Sequence, residues 1–334
     1  MSEYKVVLSE FGIRDAQLRR LEKPGFSGSQ VWQVIDSTGM YCLKRWPQED
    51  ASVERLAWIH RVLSSARNSH CDFVPIYLQT LPSKTIFSLG NGLWEMATWM
   101  PGSATFNQSP SLEKLNSAIA AIARFHAAAA IADTQLGTSP AVTERMQLLK
   151  SLPTRLPGLQ QAVASLPDPS LRNAAARALD SVRSSASSYL SAGEKFRERF
   201  LLMQPVIRDI WHDHLLFVDD RLSGIIDYGA MRIDSVCCDW ARVIASLRIN
   251  GKIPWDQSFE ILSQYVSLSD VDLAMIRWLS DCGTMLGVTN WIDWLFVEGR
   301  EFHDRNSAIE RFRVLCGQLE LVIWAGNQSL RIEP

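Results

Sequence analysis

Residues 206 to 231, VIRDIWHDHLLFVDDRLSGIIDYGAM, constrain the fold of this chain more than any other stretch. Runs of Val, Ile, Leu and Phe alternate there with five acidic residues and two histidines. Unpaired buried carboxylates are costly, so carboxylates set against buried strands point to chemistry. Two short apolar strands joined by VDDRLSG read as a hairpin, which brings its two ends together. Asp209 and His214 precede the first strand, and Asp227 follows the second, with Gly229 allowing a sharp exit. The three are therefore expected to converge at one hairpin edge. Such a site can offer one carboxylate to orient a substrate hydroxyl and hard ligands for a Mg²⁺ that bridges phosphates.

Three earlier pieces occur in the order that phosphoryl transfer from a nucleotide would require. PGFSGSQVW carries Gly25, Gly28 and Ser29 in a turn whose small residues let backbone N–H groups approach a polyphosphate, although a plain hairpin turn would read the same way. Lys44, in YCLKRW, alternates with Leu43, so its ammonium leaves the strand face opposite that side chain. It can reach phosphate oxygens or sit in solvent at an edge. Among Glu49, Asp50 and Glu54, Glu54 is the expected partner because it falls inside the following helix. In LWEMATWMPG an apolar strand runs into a linker, where the Thr98 carbonyl and the Met100 amide could read a purine edge.

Periodicity organises the rest. Residues 18 to 100 read as strands, one helix and more strands: a hairpin about Asp36 to Gly39, a helix in SVERLAWIHRVLSSA capped by Ser52, and strands about Gly90 to Gly92. MPGS at Met100 to Ser103 ends that pattern, and a composition shift follows. Residues 111 to 132 read as helical, residues 143 to 199 as an Ala-rich region broken by prolines 153, 157, 167 and 169, and further helical segments include residues 259 to 269, 270 to 287 and 305 to 326. The expected class is α+β with two lobes: residues 1–100, an antiparallel sheet with one helix that binds nucleotide, and residues 101–334, mainly helical with the catalytic loop and substrate site.

Composition narrows the partners. With 34 Lys and Arg against 36 Asp and Glu, the net charge of -2 gives no basic field for nucleic acid, so an anionic ligand must be held locally. Six scattered cysteines without a C-x-x-C pair read as reduced core residues. The N-terminus lacks a basic-then-apolar leader, and no run reaches the ~18 uninterrupted apolar residues of a membrane span, so the expected setting is the cytoplasm, with no membrane partner.

IRDIWHDHLLF followed by IIDYGA resembles the catalytic loop and metal-binding segment of the protein-kinase-like superfamily, and within it the aminoglycoside and small-molecule phosphotransferase branch, typified by H-G-D-x-x-x-x-N and I-D-[WFY]-[GE]. The spacings from Asp209 to His214 and to Asp227 agree without a gap. The resemblance extends to the Gly turn, Lys44, the hinge-like Ala97 to Gly102 and Asp239 in CCDWARV, covering about residues 20 to 245. It implies that Asp209 is the catalytic base or hydroxyl-orienting carboxylate, Asp227 the principal Mg²⁺ ligand, Lys44 the phosphate clamp, and the Gly25 to Ser29 loop a lid over ATP. Three positions depart from the family. Ile207 stands for the leading His, Trp211 for a Lys or His, and His214 for the Asn metal ligand, where imidazole suits Mn²⁺ better than Mg²⁺. Arg208 restores the Arg-Asp pair of protein kinases and would help keep Asp209 ionised. Trp291, Asp293, Trp294, Phe296 and Glu298 could hold a cationic amine bearing a hydroxyl, or could be the core face of an amphipathic helix. The expected activity is ATP-dependent phosphorylation of a small-molecule hydroxyl. The alternative is a non-catalytic, nucleotide-binding pseudokinase.

Overall fold

The structure, a computed structural model, describes residues 3–21, 29–47, 49, 51–81, 83–247, 253–302 and 304–329, with side chains through residue 320. Gly25 and Gly28 lie outside the described residues.

The chain opens with helix α1 (Glu3–Glu10) and strands β1 (Gln17–Arg20), β2 (Gln30–Ile35) and β3 (Met40–Pro47). Helix α2 (Val53–Asn68) precedes β4 (Phe87–Leu89) and β5 (Gly92–Thr98). Helix α3 (Leu112–Ala132), strand β6 (Gln135–Gly137), helices α4 (Pro140–Ala164) and α5 (Pro169–Arg197), and strands β7 (Leu201–Val206), β8 (Leu215–Val218), β9 (Arg221–Ile225) and β10 (Arg232–Asp234) follow. Helices α6 (Cys237–Leu247), α7 (Trp255–Ser263), α8 (Asp270–Ile292) and α9 (Arg305–Ser329) complete it. The class is the expected α+β, an antiparallel sheet followed by mostly helical chain. Residues 1–100 carry a second helix, α1, which the strand-centred reading of the sequence omits. Its Val7 and Leu8 are buried, and Tyr4 sets its ring edge against Trp32 and Trp94.

Two compact units emerge. One comprises Met1–Thr134, Gln204–Ile233 and Trp255–Ser267; the other comprises Gln135–Met203, Asp234–Pro254 and Leu268–Pro334. In the first, five antiparallel strands lie in the order β1-β2-β3-β5-β4. Their alternation buries Trp32, Val34, Leu43, Trp94 and Met96 with Val7, Leu8 and Phe11 of the N-terminal segment. The tight turns follow local chemistry. Asp36 accepts hydrogen bonds from the N–H groups of Thr38 and Gly39 at 2.8 and 2.9 Å, closing β2 onto β3. Ser52 caps α2 by accepting from the Arg55 N–H. Helix α3 is long and apolar enough to cross a membrane by length and composition alone, and half of that stretch is buried in its unit.

In the second unit, α4 runs unbroken through Pro153 and Pro157, although those prolines suggest breaks in the sequence. They stand four apart and both are exposed, so the carbonyl that Pro157 leaves unpaired, that of Pro153, is on a face that water can reach. Gly193 of α5 lies against Met146 and Trp278, where a Cβ would collide, and this close approach locks α4, α5 and α8 together.

Candidate active site

The β8–β9 hairpin forms as the sequence predicts, with Val218 opposite Arg221 and a two-residue turn whose Asp219 has φ 52°. The linker is stitched to it. Ser103 and Phe217 exchange backbone hydrogen bonds at 3.0 and 2.9 Å, and the Ser223 hydroxyl donates to the Pro101 carbonyl at 2.6 Å. Gly102 (φ +94°) permits this approach, since a Cβ there would stand 2.6 Å from the Phe217 carbonyl oxygen. Met100 is buried, its side chain against Gly224 of β9. The Thr98 and Trp99 amides donate to the Ile76 and Met40 carbonyls at 2.9 and 3.0 Å, which fixes the backbone just before Met100.

Upstream of the hairpin, β7 ends at Val206 and fully buried Ile207 follows it. The Asp209 N–H bonds back to the Ile207 carbonyl at 2.9 Å across Arg208, whose φ is 66°. A γ-turn of this positive-φ kind is strained in a non-glycine residue, and such strain gathers at functional loops. The turn leaves Asp209 exposed. Downstream, Asp227 is itself left-handed (φ 62°, ψ 68°), which turns the chain sharply out of β9.

The hairpin ends do meet. Lys44, 183 residues earlier in the chain, donates from Nζ to Asp227 Oδ1 at 2.9 Å. Burial pushes the Asp227 carboxyl up, but Lys44, His214 and the Gly229 N–H together outweigh it and hold Asp227 below the ordinary aspartate value. His214 Nδ1 lies 2.8 Å from the Asp209 carbonyl oxygen, and its Nε2 lies 3.9 Å from Asp227 Oδ2 and 3.0 Å from Trp211 Nε1. An indole N–H can only donate, so Nε2 accepts and Nδ1 carries the proton that reaches Asp209. Two of the departures from the family, Trp211 and His214, are thus one hydrogen-bonded unit.

This pairing bears on metal binding. Asp227 presents a hard carboxylate, and Mg²⁺ is commonly held by one or two carboxylates plus phosphates and water. The residues fit a metal in that mode. Ligation by His214 through Nε2 would first have to break its bond to Trp211. Among the described residues, no cluster of three or more His, Cys, Asp or Glu side chains forms a metal cage.

Lys44 does not meet Glu54, which is exposed on α2; its carboxylate partner is Asp227. The cross-strand neighbour of Lys44 on β5 is Glu95, buried and hydrogen-bonded through Oε2 to His60 Nε2 of α2 at 3.0 Å. His60 also meets the Thr85 hydroxyl at 2.7 Å and stacks on Tyr77. Helix α2 therefore approaches this strand face through an imidazole. Ser29 is buried just before β2. Asp239 is fully buried in the first turn of α6.

Two residues of the site escape the sequence reading. Trp46 lies two positions after Lys44 and so on the same strand face; the ammonium sits 3.8 Å from its ring centre, and Gly229 packs so closely on the indole that a Cβ would collide. Strand alternation from Lys44 could have found Trp46. Arg55 of α2 donates to the Gly229 carbonyl, and no sequence pattern announces it. Together they hold the segment Asp227-Tyr228-Gly229.

In the second unit, α8 continues into a π-helical turn at Asp293–Val297. Asp293 is paired with Arg155, Glu298 with Arg300, and the Arg300 guanidinium lies 4.8 Å from the Trp294 ring centre. The carboxylates and one aromatic face considered for a cationic amine already have arginine partners.

With this geometry in view, comparisons with known proteins agree in direction. The model of the phosphotransferase enzyme family (APH) matches residues 23–265. Among solved structures, spectinomycin phosphotransferase APH(9)-Ia in complex with ADP and spectinomycin is similar with a TM-score of 0.69 at 11% identity, over 97% of each chain. An aminoglycoside phosphotransferase from Alicyclobacillus acidocaldarius scores 0.62 at 11% identity, over 94% of this chain and 92% of that one. Amicoumacin kinase hAmiN in complex with AMP-PNP, Ca²⁺ and Ami scores 0.63 at 13% identity, over 95% and 94%. At such identities the likeness shows the fold. A comparison with proteins of curated function returns no match.

Proposed function

Because this chain belongs to the phosphotransferase enzyme family, we propose that it transfers the γ-phosphoryl group of ATP to a hydroxyl of a small molecule. The observation that carries this reading is the 2.9 Å pair of Lys44 and Asp227, joined through His214 to the Asp209 backbone. In the proposed roles, Lys44 clamps phosphate oxygens and Asp227 holds Mg²⁺. Asp209 orients the acceptor hydroxyl and takes its proton. The bound metal would draw charge from the phosphate oxygens as the bond to the leaving group breaks. Arg208 flanks Asp209 in the proposed catalytic loop. The backbone of Thr98 and Met100 reads the adenine edge, and residues 1–100, with the Gly25 to Ser29 loop, form the nucleotide-binding lobe. Residues 101–334 supply the catalytic loop and the acceptor site. Neighbouring folds were solved with ADP or AMP-PNP bound, which supports the choice of nucleotide.

The bond from Trp211 to His214 favours a second reading, a nucleotide-binding protein without turnover, because it occupies the ring nitrogen nearest Asp227. One experiment separates the two. Purified protein is mixed with ATP, Mg²⁺ or Mn²⁺ and a panel of hydroxylated amines and sugars, and ADP is followed against an Asp209→Ala control. Acceptor-dependent ADP above that control supports the enzyme. Metal-dependent ATP protection against thermal unfolding, with no turnover across the panel, supports the second reading.

A further inference from the structure

Beyond its pair with Asp227, Lys44 faces a second carboxylate. In the register of β3 and β5, Lys44 stands directly opposite Glu95. Directly opposed residues share a sheet face with Cβ atoms about 4.5–5.5 Å apart, a separation that a lysine side chain spans. Glu95 is buried in the first unit and holds His60 Nε2 of α2 through Oε2 at 3.0 Å. The imidazole is fixed in turn by the Thr85 hydroxyl, 2.7 Å from Nδ1, and by the Tyr77 ring, which stacks on it with centroids 3.7 Å apart. Glu95 Oε1 makes no hydrogen bond among the described residues.

Both carboxylates act on one point of the strand face. Burial pushes the thiol of Cys42, two positions before Lys44 on that face, up to about 12; the Lys44 charge opposes the shift, and Glu95 and Asp227 add to it. The ammonium therefore lies among two acidic groups, bonded to Asp227 at 2.9 Å and 3.8 Å from the Trp46 ring centre. A Mg²⁺ on Asp227 would compete with that ammonium for the same carboxylate, and the two cations repel. Lysine carries three N–H donors, so it can bond another carboxylate and still reach a phosphate oxygen.

We propose that Glu95 is a positioning residue for Lys44: when metal-bound nucleotide engages Asp227, Lys44 passes to Glu95 Oε1, and His60 braces the carboxylate that aims the ammonium at the phosphates. Glu95 thereby takes the role expected of Glu54, and α2 contributes through His60 instead. The alternative pairing stands on the fold alone; the hand-over on nucleotide binding rests on the phosphotransferase reading.

Two measurements test it. Asp227→Gly suits the left-handed backbone at φ 62° and removes the present partner of Lys44 with no nucleotide added. Its crystal structure should place Lys44 Nζ within hydrogen-bond distance of Glu95, and a Lys44 turned to solvent would overturn the pairing. For the hand-over, AMP-PNP with Mg²⁺ is titrated calorimetrically into the wild type, Glu95→Gln, Lys44→Met and the double variant. Glu95→Gln keeps the size of the side chain and a hydrogen-bonding group for His60. It should weaken binding about tenfold with Lys44 present and about twofold or less with Lys44→Met, a non-additivity that a merely structural role would not produce. Equal losses in both backgrounds, or none in either, overturn the hand-over alone. No binding by the wild type overturns the phosphotransferase reading and the hand-over with it, while the Asp227→Gly structure still decides the pairing.

Discussion

Trp211→Phe tests whether Trp211 and His214 act as one unit. The substitution keeps an aromatic ring against the imidazole, which Trp211 now meets edge-on at 5.7 Å, and deletes only the indole N–H that donates to His214 Nε2 at 3.0 Å. The bond joins two half-buried groups, so its net loss should cost about 0.5–1.5 kcal/mol of stability. That is measurable by urea denaturation as a fall in the midpoint at unchanged slope. The chemical consequence is larger than the energetic one. With Nε2 released, the imidazole can turn this nitrogen on a metal at Asp227, so relative binding or turnover should move from Mg²⁺ toward Mn²⁺. Nitrogen NMR of the imidazole reads the cause directly: Nδ1 protonated and Nε2 an acceptor in the wild type, with that preference lost in Trp211→Phe. A wild-type spectrum with the proton on Nε2 would refute the arrangement, as would a variant whose tautomer and Mn²⁺-to-Mg²⁺ ratio both match the wild type.

Gly229→Ala should destabilise by about 1–3 kcal/mol, because the added methyl meets the Trp46 ring, and should weaken metal-dependent nucleotide binding; thermal unfolding and ATP titration check both. Asp36, Asp168, Asp227 and Asp272 all sit below the ordinary aspartate value of 3.8 in the folded protein. Their stabilisation is therefore complete above that pH and is lost as pH falls through their folded values, so denaturant midpoints should hold near neutrality and drop below about pH 4. Asp227→Asn should reduce that acid loss. Burial pushes the Cys42 and Cys237 thiols up to about 12, so an aromatic disulfide reagent at pH 8 should modify neither in the native protein and should reach all six cysteines after unfolding; rapid native modification of Cys237 would contradict its burial.

Much of this was legible because the signals are local. Alternation around Leu43 and Lys44, the Asp36 turn and the Ser52 cap each depend on a few neighbouring residues, and the hairpin spacing sets how far apart Asp209 and Asp227 can lie. Long-range pairings were not legible. Glu54 was the natural partner for Lys44 on helical grounds, yet α2 turns it outward and brings His60 to Glu95 on the strand beside Lys44. Trp211 and His214 look like separate defects in a motif until the backbone from Asp209 folds one onto the other. Helix α1 was missed because its eight residues bury only Val7 and Leu8, too few to give a periodic signal. Pro153 and Pro157 misled in the opposite sense, since a proline on an exposed helix face need not end the helix.

The most direct measurement is calorimetric titration of the purified chain with ATP, in Mg²⁺ and in chelator, for the wild type and for Asp227→Asn and Lys44→Met. The account predicts saturable ATP binding that depends on metal, weakens at least tenfold in each variant, and leaves both variants folded. Binding of equal strength in wild type and Asp227→Asn, or no ATP binding with Mg²⁺ present, would contradict it.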